Sequence, residues 1–165
     1  MTIIITDTNI FIDLIQSGML KYFFQLDYEF CTTDLVVEEV KVGKQKQELE
    51  NYREQGKLRV LSLDSTEIRD AVQLPTEYSL KGITDRSVLL KAIRLQGIVL
   101  SGDGNLRKEC QRRGLEVRGS IWVIREIWER GLADSNILIS VLDQLQENTR
   151  LPKQALEDLK NEIKS

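Results

Sequence analysis

The chain has 165 residues, 41% of them apolar and 30% charged, a length that suits one domain and a composition that excludes a disordered protein. Its net charge of −3 excludes a broadly basic surface, so any nucleic-acid binding must use local patches. Histidine is absent, which removes histidine triads, histidine general bases and imidazole zinc sites and leaves carboxylates, hydroxyls, Lys, Arg or a metal ion for any chemistry.

The N-terminus reads Met-Thr-Ile-Ile-Ile-Thr-Asp, without a basic stretch followed by a long apolar run, so neither a secretory signal nor a spanning helix is expected and a cytoplasmic protein is. Strands are expected at Ile3–Ile5, Glu29–Thr32, Arg59–Leu63, Ile98–Ser101 and Glu116–Arg118, all short and β-rich. Helical spacing fills the intervals at Asn9 to Gln16, Leu20 to Leu26, Asp34 to about Tyr52, Ser65 to about Leu74, Thr84 to Leu95, and Gly104 to Arg113. Ser65 and Glu67 offer a cap and an early acid to one of these, and Gly97 and Gly114 stand where a left-handed residue would end two others. The alternation indicates α/β architecture with a parallel sheet. From Ser120 the pattern is wholly helical, with Ile121, Ile124, Ile127 and Trp128 on one stripe and Ile137, Val141, Leu142 and Leu145 on the next. A last amphipathic stretch from Pro152 carries Leu156, Leu159 and Ile163, suited to folding back or to pairing. One domain is expected over 1–165, with a core over 1–118 and a helical extension over 119–165. Cys31 and Cys110 lie far apart without metal-ligand spacing and suit reduced, packed thiols.

In open parallel sheets, ligands bind beyond the carboxyl ends of the strands, where the strand order reverses. Asp7 follows the first strand by two residues and Asp103 follows the fourth by two. If those strands are neighbours at the reversal, both carboxylates come within reach of one cation. Asp85 falls in the first turn of a helix whose Val88, Leu89, Ala92 and Ile93 face the core, where plain compensation of the helix dipole is an equal reading. Glu38 and Glu39 follow Leu35-Val36-Val37, so one leans to the sheet edge and the other to water. Gathered carboxylates repel one another and need a hard divalent cation. Magnesium or manganese would supply the charge, bind phosphate oxygens and activate water, as phosphodiester hydrolysis requires.

The segments Ile-Thr-Asp-Thr-Asn-Ile-Phe-Ile-Asp (5–13), Asp-Leu-Val-Val-Glu-Glu-Val (34–40), Ile-Thr-Asp-Arg-Ser-Val (83–88) and Val-Leu-Ser-Gly-Asp-Gly-Asn-Leu (99–106) resemble those of PIN domains, particularly the toxin-type members of toxin-antitoxin pairs. The resemblance covers roughly residues 2–118. It implies an α/β/α sandwich with a parallel sheet in the order 3-2-1-4-5 and an RNA endonuclease dependent on Mg2+ or Mn2+. Asp7 and Asp103 become central ligands, Asp85 the third acid, and Glu39, directly before Val40, is favoured over Glu38. Asn9 and Ser101 become supports that hold an acid or a coordinated water by hydrogen bonds. Toxin-type relatives imply an antitoxin protein as partner and a homodimer; the long helical tail after Ser120 departs from the minimal toxin pattern.

For RNA binding, the helix after Asp103 offers Arg107, Lys108, Arg112 and Arg113, with Arg86 and Lys91 on the Asp85 helix, although charged runs are as often solvated faces. The alternative from another class is a PIN-like module that binds protein or RNA without cutting. A phospho-acceptor receiver domain fits less well, because Asp7 has no acidic neighbour and the late strands end without a lysine.

Overall fold

Consecutive isoleucines suit a strand buried on both faces, and Ile4 and Ile5, both fully buried, lie in the middle strand of the sheet. A computed structural model describes residues 1–40, 43–80, 82–148 and 150–165. Strands β1 (Ile3–Thr6), β2 (Glu29–Thr33), β3 (Arg59–Leu61), β4 (Ile98–Leu100) and β5 (Val117–Arg118) form one parallel sheet in the order β3-β2-β1-β4-β5. The sheet and its order are those implied by the resemblance. Ile5 pairs with Cys31 on one side and Val99 on the other, and Thr6 pairs with Leu100. Strands β1 and β4 therefore end level with each other, and the amide of Asp7 extends the pairing to the carbonyl of Leu100 (2.9 Å).

Ten helices are described: α1 (Thr8–Gln16), α2 (Leu20–Phe23), α3 (Asp34–Glu39), α4 (Gly43–Glu54), α5 (Ser65–Gln73), α6 (Ile83–Leu95), α7 (Gly104–Arg112), α8 (Ser120–Glu129), α9 (Ser135–Leu145) and α10 (Lys153–Lys164). Parallel crossovers are right-handed, so the connections stepping from β1 to β3 lie on one face and those leading to β4 and β5 on the other. The order reverses between β1 and β4, where a crevice opens at the carboxyl ends of the strands.

Several local expectations change. The single helix expected from Asp34 to about Tyr52 is two: α3 ends at Val40, whose φ of −79° and ψ of 79° leave the helical region. The side chain of Val40 stays buried and so preserves the helical stripe while the backbone departs from it. Lys41 and Val42 of that expected helix lie outside the described residues. The cap of α5 is Asp64, in a reciprocal capping box with Glu67, one residue before the expected Ser65. After α6 the left-handed residue is Gln96 (φ 53°), not Gly97. Gly97 answers a different need, since a Cβ there would stand 3.0 Å from the carbonyl oxygen of Ile3 on β1. Gly114, with φ of 74°, does take the left-handed conformation after α7.

The C-terminal helices pack on the core. Helix α8 lies against α1 and α2, and α10 folds back on α8 and α9. Val123, Ile124, Ile127, Leu138, Leu142, Leu156 and Leu159 are all fully buried and continuous with the cluster under the sheet. The stripe on α9 runs through Leu138 and leaves the expected Ile137 at the surface. A polar tie reinforces the packing: buried Asp13 on α1 accepts from Ser120 Oγ (2.9 Å), Asn148 Nδ2 (3.1 Å) and Arg150 Nη2 (2.9 Å). Cys31 on β2 and Cys110 on α7 are both free and buried. Among the described residues no helix is long and apolar enough to cross a membrane.

Candidate active site

Two strand ends meet at the crevice, and hydrogen bonds lace them together. Asp7 leaves β1 in extended conformation and caps α1, its Oδ1 accepting from the amide of Thr8 (2.8 Å). Its Oδ2 accepts from Ser101 Oγ (2.8 Å), and the same hydroxyl accepts from the amide of Asp103 (3.0 Å). Ser101 is fully buried and Asp7 only 3% exposed. Asp103 caps α7, its Oδ1 accepting from the amide of Leu106 (2.9 Å). Asn9 Oδ1 accepts from the amide of Gly102 (3.1 Å), so it fastens the β4 loop to α1.

Glu39 ends α3, and its Oε2 accepts from Thr8 Oγ1 (2.9 Å), which brings it beside Asp7. Glu38 turns to Lys46 (3.3 Å). Asp85 stands half-buried in the first turn of α6. That turn is bolted to the end of β2, because Ser87 Oγ shares a hydrogen bond with Thr33 Oγ1 (2.9 Å), the cap of α3, and donates to the carbonyl of Thr84 (2.6 Å). All four acids thus come from the carboxyl-end side of the sheet. Thr8 was not among the residues singled out from sequence, since one hydroxyl in the polar run Thr6-Asp7-Thr8-Asn9 carries no signal of its own.

Burial dominates the electrostatics of Asp7. Burial raises the Asp7 pKa above the ordinary carboxylate value; hydrogen bonds from Ser101 and Thr8 oppose the rise, and the charges of Asp103 and Glu39 add to it. Burial is thus the main cost of the Asp7 charge, and the neighbouring acids add a smaller one; a cation would offset both. Among the described residues no three acids stand close enough together to hold a metal ion by themselves. The donor set is nonetheless all hard oxygen, and Thr6 Oγ1, one residue before Asp7, is buried without a hydrogen-bond partner among the described residues. Magnesium, which keeps several waters and binds through one or two carboxylates plus substrate phosphates, fits a centre of this sparseness.

A family model for the PIN domain matches residues 3–165. The chain belongs to the PIN-domain family. The match runs on through α8, α9 and α10, beyond the 2–118 over which the motifs resemble the family. No curated protein matches the chain. The PIN domain is a nuclease-type fold, and nucleases built on it generally use divalent metal ions.

The cations singled out from sequence in this PIN domain divide by what they touch. Arg112 and Arg113 both grip Glu109, a fully buried carboxylate, at 2.5 and 3.0 Å. Glu109 also accepts from the amides of Glu77 (2.8 Å) and Tyr78 (3.2 Å), and Arg113 donates to the carbonyl of Pro75. Lys108 sits 5.7 Å from the ring centre of Tyr78. Arg86 donates to the carbonyls of Ala71, Val72 and Leu74 at the end of α5, and Lys91 pairs with Glu67 (2.5 Å). Arg107 differs from these: its Nη1 donates to the carbonyl of Ser101 (2.9 Å), directly behind the hydroxyl that holds Asp7.

Proposed function

We propose that this chain is a metal-dependent endoribonuclease that hydrolyses RNA phosphodiester bonds at the β1/β4 crevice. The observation that carries the reading is the Ser101 hydroxyl, which joins the Asp7 carboxylate to the backbone amide of Asp103 across the crevice, with Glu39 drawn to the same place by Thr8. Asp7, Asp103, Glu39 and Asp85 would hold Mg2+ or Mn2+, which supplies positive charge on the phosphate and lowers the pKa of water. Asp7 and Asp103 each spend an oxygen on a backbone amide, which fixes their direction before any substrate arrives. Ser101 holds Asp7 by its hydroxyl and Asn9 holds the loop that carries Asp103. The buried position of Asp7 keeps bulk water from screening its charge.

The test is cleavage of a mixed single-stranded and structured RNA pool by the purified chain with magnesium, manganese or EDTA, beside the Asp7→Asn variant. Metal-dependent cutting should fall by at least about a hundredfold in the variant, the scale of losing an electrostatic stabiliser at a reacting centre. Absence of cutting with every metal, together with no binding of divalent ions by the folded protein, would replace this reading with a non-catalytic binding module. The narrower reading, a cytoplasmic toxin held in check by an antitoxin protein and acting as a homodimer, belongs to the same proposal. Growth arrest on induced expression that Asp7→Asn abolishes would support it.

A further inference from the structure

A cavity of about 740 Å3 lies beside the crevice, between the β4–β5 edge of the sheet and the C-terminal helices. Its floor is Ser101 and Gly102, the residues that hold Asp7 and pair with Asn9. Three guanidiniums reach it from three separate parts of the chain: Arg107 on α7, Arg118 on β5 and Arg150 just before α10. Arg150 closes one side, its Nη1 lying 3.6 Å from where a Cβ on Gly102 would stand. Trp122, Leu151 and Pro152 add apolar lining.

The charges in this cavity do not balance. Arg150 is paired with Asp13 (2.9 Å), and Arg118 is 44% exposed with only a distant approach to Glu116 (3.7 Å). Arg107 is half-buried and forms no ion pair among the described residues. Its own pKa is lowered by burial and by the repulsion of Arg118. In a chain of net charge −3, this is a local reversal of sign placed against the wall of the carboxylate centre. Arg107, repelled by Arg118 and without a counter-charge among the described residues, is placed to receive an anion. The apolar lining of the same cavity suits the sugar and base of the same ligand.

We propose that this cavity binds the phosphate backbone of the RNA strand next to the bond to be cut, with Arg107 and Arg118 as phosphate contacts and the C-terminal extension as the wall that closes the groove. The inference rests on the nuclease reading for the identity of the strand. It gives the helices after Ser120 a part in holding substrate as well as in packing.

Binding of a short labelled single-stranded RNA to the full chain in EDTA, titrated with salt, tests it. Arg107→Gln and Arg118→Gln should each weaken binding about tenfold across RNA sequences and lower the slope of log affinity against log salt by about 0.7. Arg107→Lys, which keeps the charge, should recover most of the loss. Arg59→Gln, which removes an equal charge at the other end of the sheet near Glu29, should bind as the parent does. Unchanged affinity and slope in both glutamine variants, or no RNA binding by the parent, would overturn the proposal. Metal-dependent cleavage, followed in parallel, separates the two readings. Cutting that needs Asp7 while the arginine variants bind normally removes the groove and keeps the nuclease; arginine-dependent binding without cutting in any metal does the reverse.

Discussion

Asp103 serves two physical ends with one side chain. As the cap of α7 it satisfies the amide of Leu106, and as an acid at the crevice it contributes charge beside Asp7. The two roles separate by substitution, because asparagine caps a helix as well as aspartate does, whereas alanine forfeits about 1 kcal/mol. Asp103→Asn should therefore unfold at the parent's temperature and lose metal-dependent activity, and Asp103→Ala should lose both activity and about 1 kcal/mol in a denaturant titration. Equal stability of the two variants would show that the cap is without weight. Which of these acids could be found from sequence follows from the same geometry. Asp7 and Asp103 were visible because an acid two residues beyond a β-rich run must emerge at the sheet edge. Arg150 was not, because its bond to Asp13 crosses 137 residues of chain and its place over Gly102 joins two further distant segments, and nothing local marks such an arginine.

Among the elements, α7 depends on its buried acid. Burial alone would raise the pKa of Glu109, but hydrogen bonds from Arg112, the amides of Glu77 and Tyr78, and Arg113 hold it down at about 2. A carboxylate whose folded pKa is depressed gives stability that is present above its unfolded value, 4.5, and is lost as pH falls toward about 2. Glu109→Gln should cost roughly 2 kcal/mol near neutrality, less than the 3–5 of a fully buried broken pair because both arginines reach water. The cost should shrink as the pH is lowered below about 4.5, and a constant deficit from pH 7 to 3 in urea melts would show that charge is not its source. Elements whose period matched their packing could be read directly, as with β1, α6 and α10. The break after α3 could not, since Val40 keeps the apolar spacing of a longer helix while its backbone leaves it. The sheet order likewise came from resemblance to a family, because periodicity fixes which residues face inward but not which strands are neighbours.

At the scale of the molecule, the extension and the core share one apolar interior and the Asp13 tie. A chain cut after Arg118 would strip Asp13 of Ser120, Asn148 and Arg150 and would bare the apolar faces of α1 and α2 that α8 covers. Residues 1–118 alone should show no cooperative thermal transition, measured by circular dichroism; a sharp transition near that of the full chain would mark the helices as an independent appendage. The two cysteines carry a further consequence. Cys31 sits in β2 between β1 and β3, and Cys110 sits on the inner face of α7, its thiol pushed up to about 12 chiefly by burial. A thiolate is the reactive form, so neither sulfur meets a reagent while its surroundings stay closed. Each is thereby a silent clock for one part of the protein, the first timing the opening of the central sheet and the second the lifting of α7 from the crevice it helps to build.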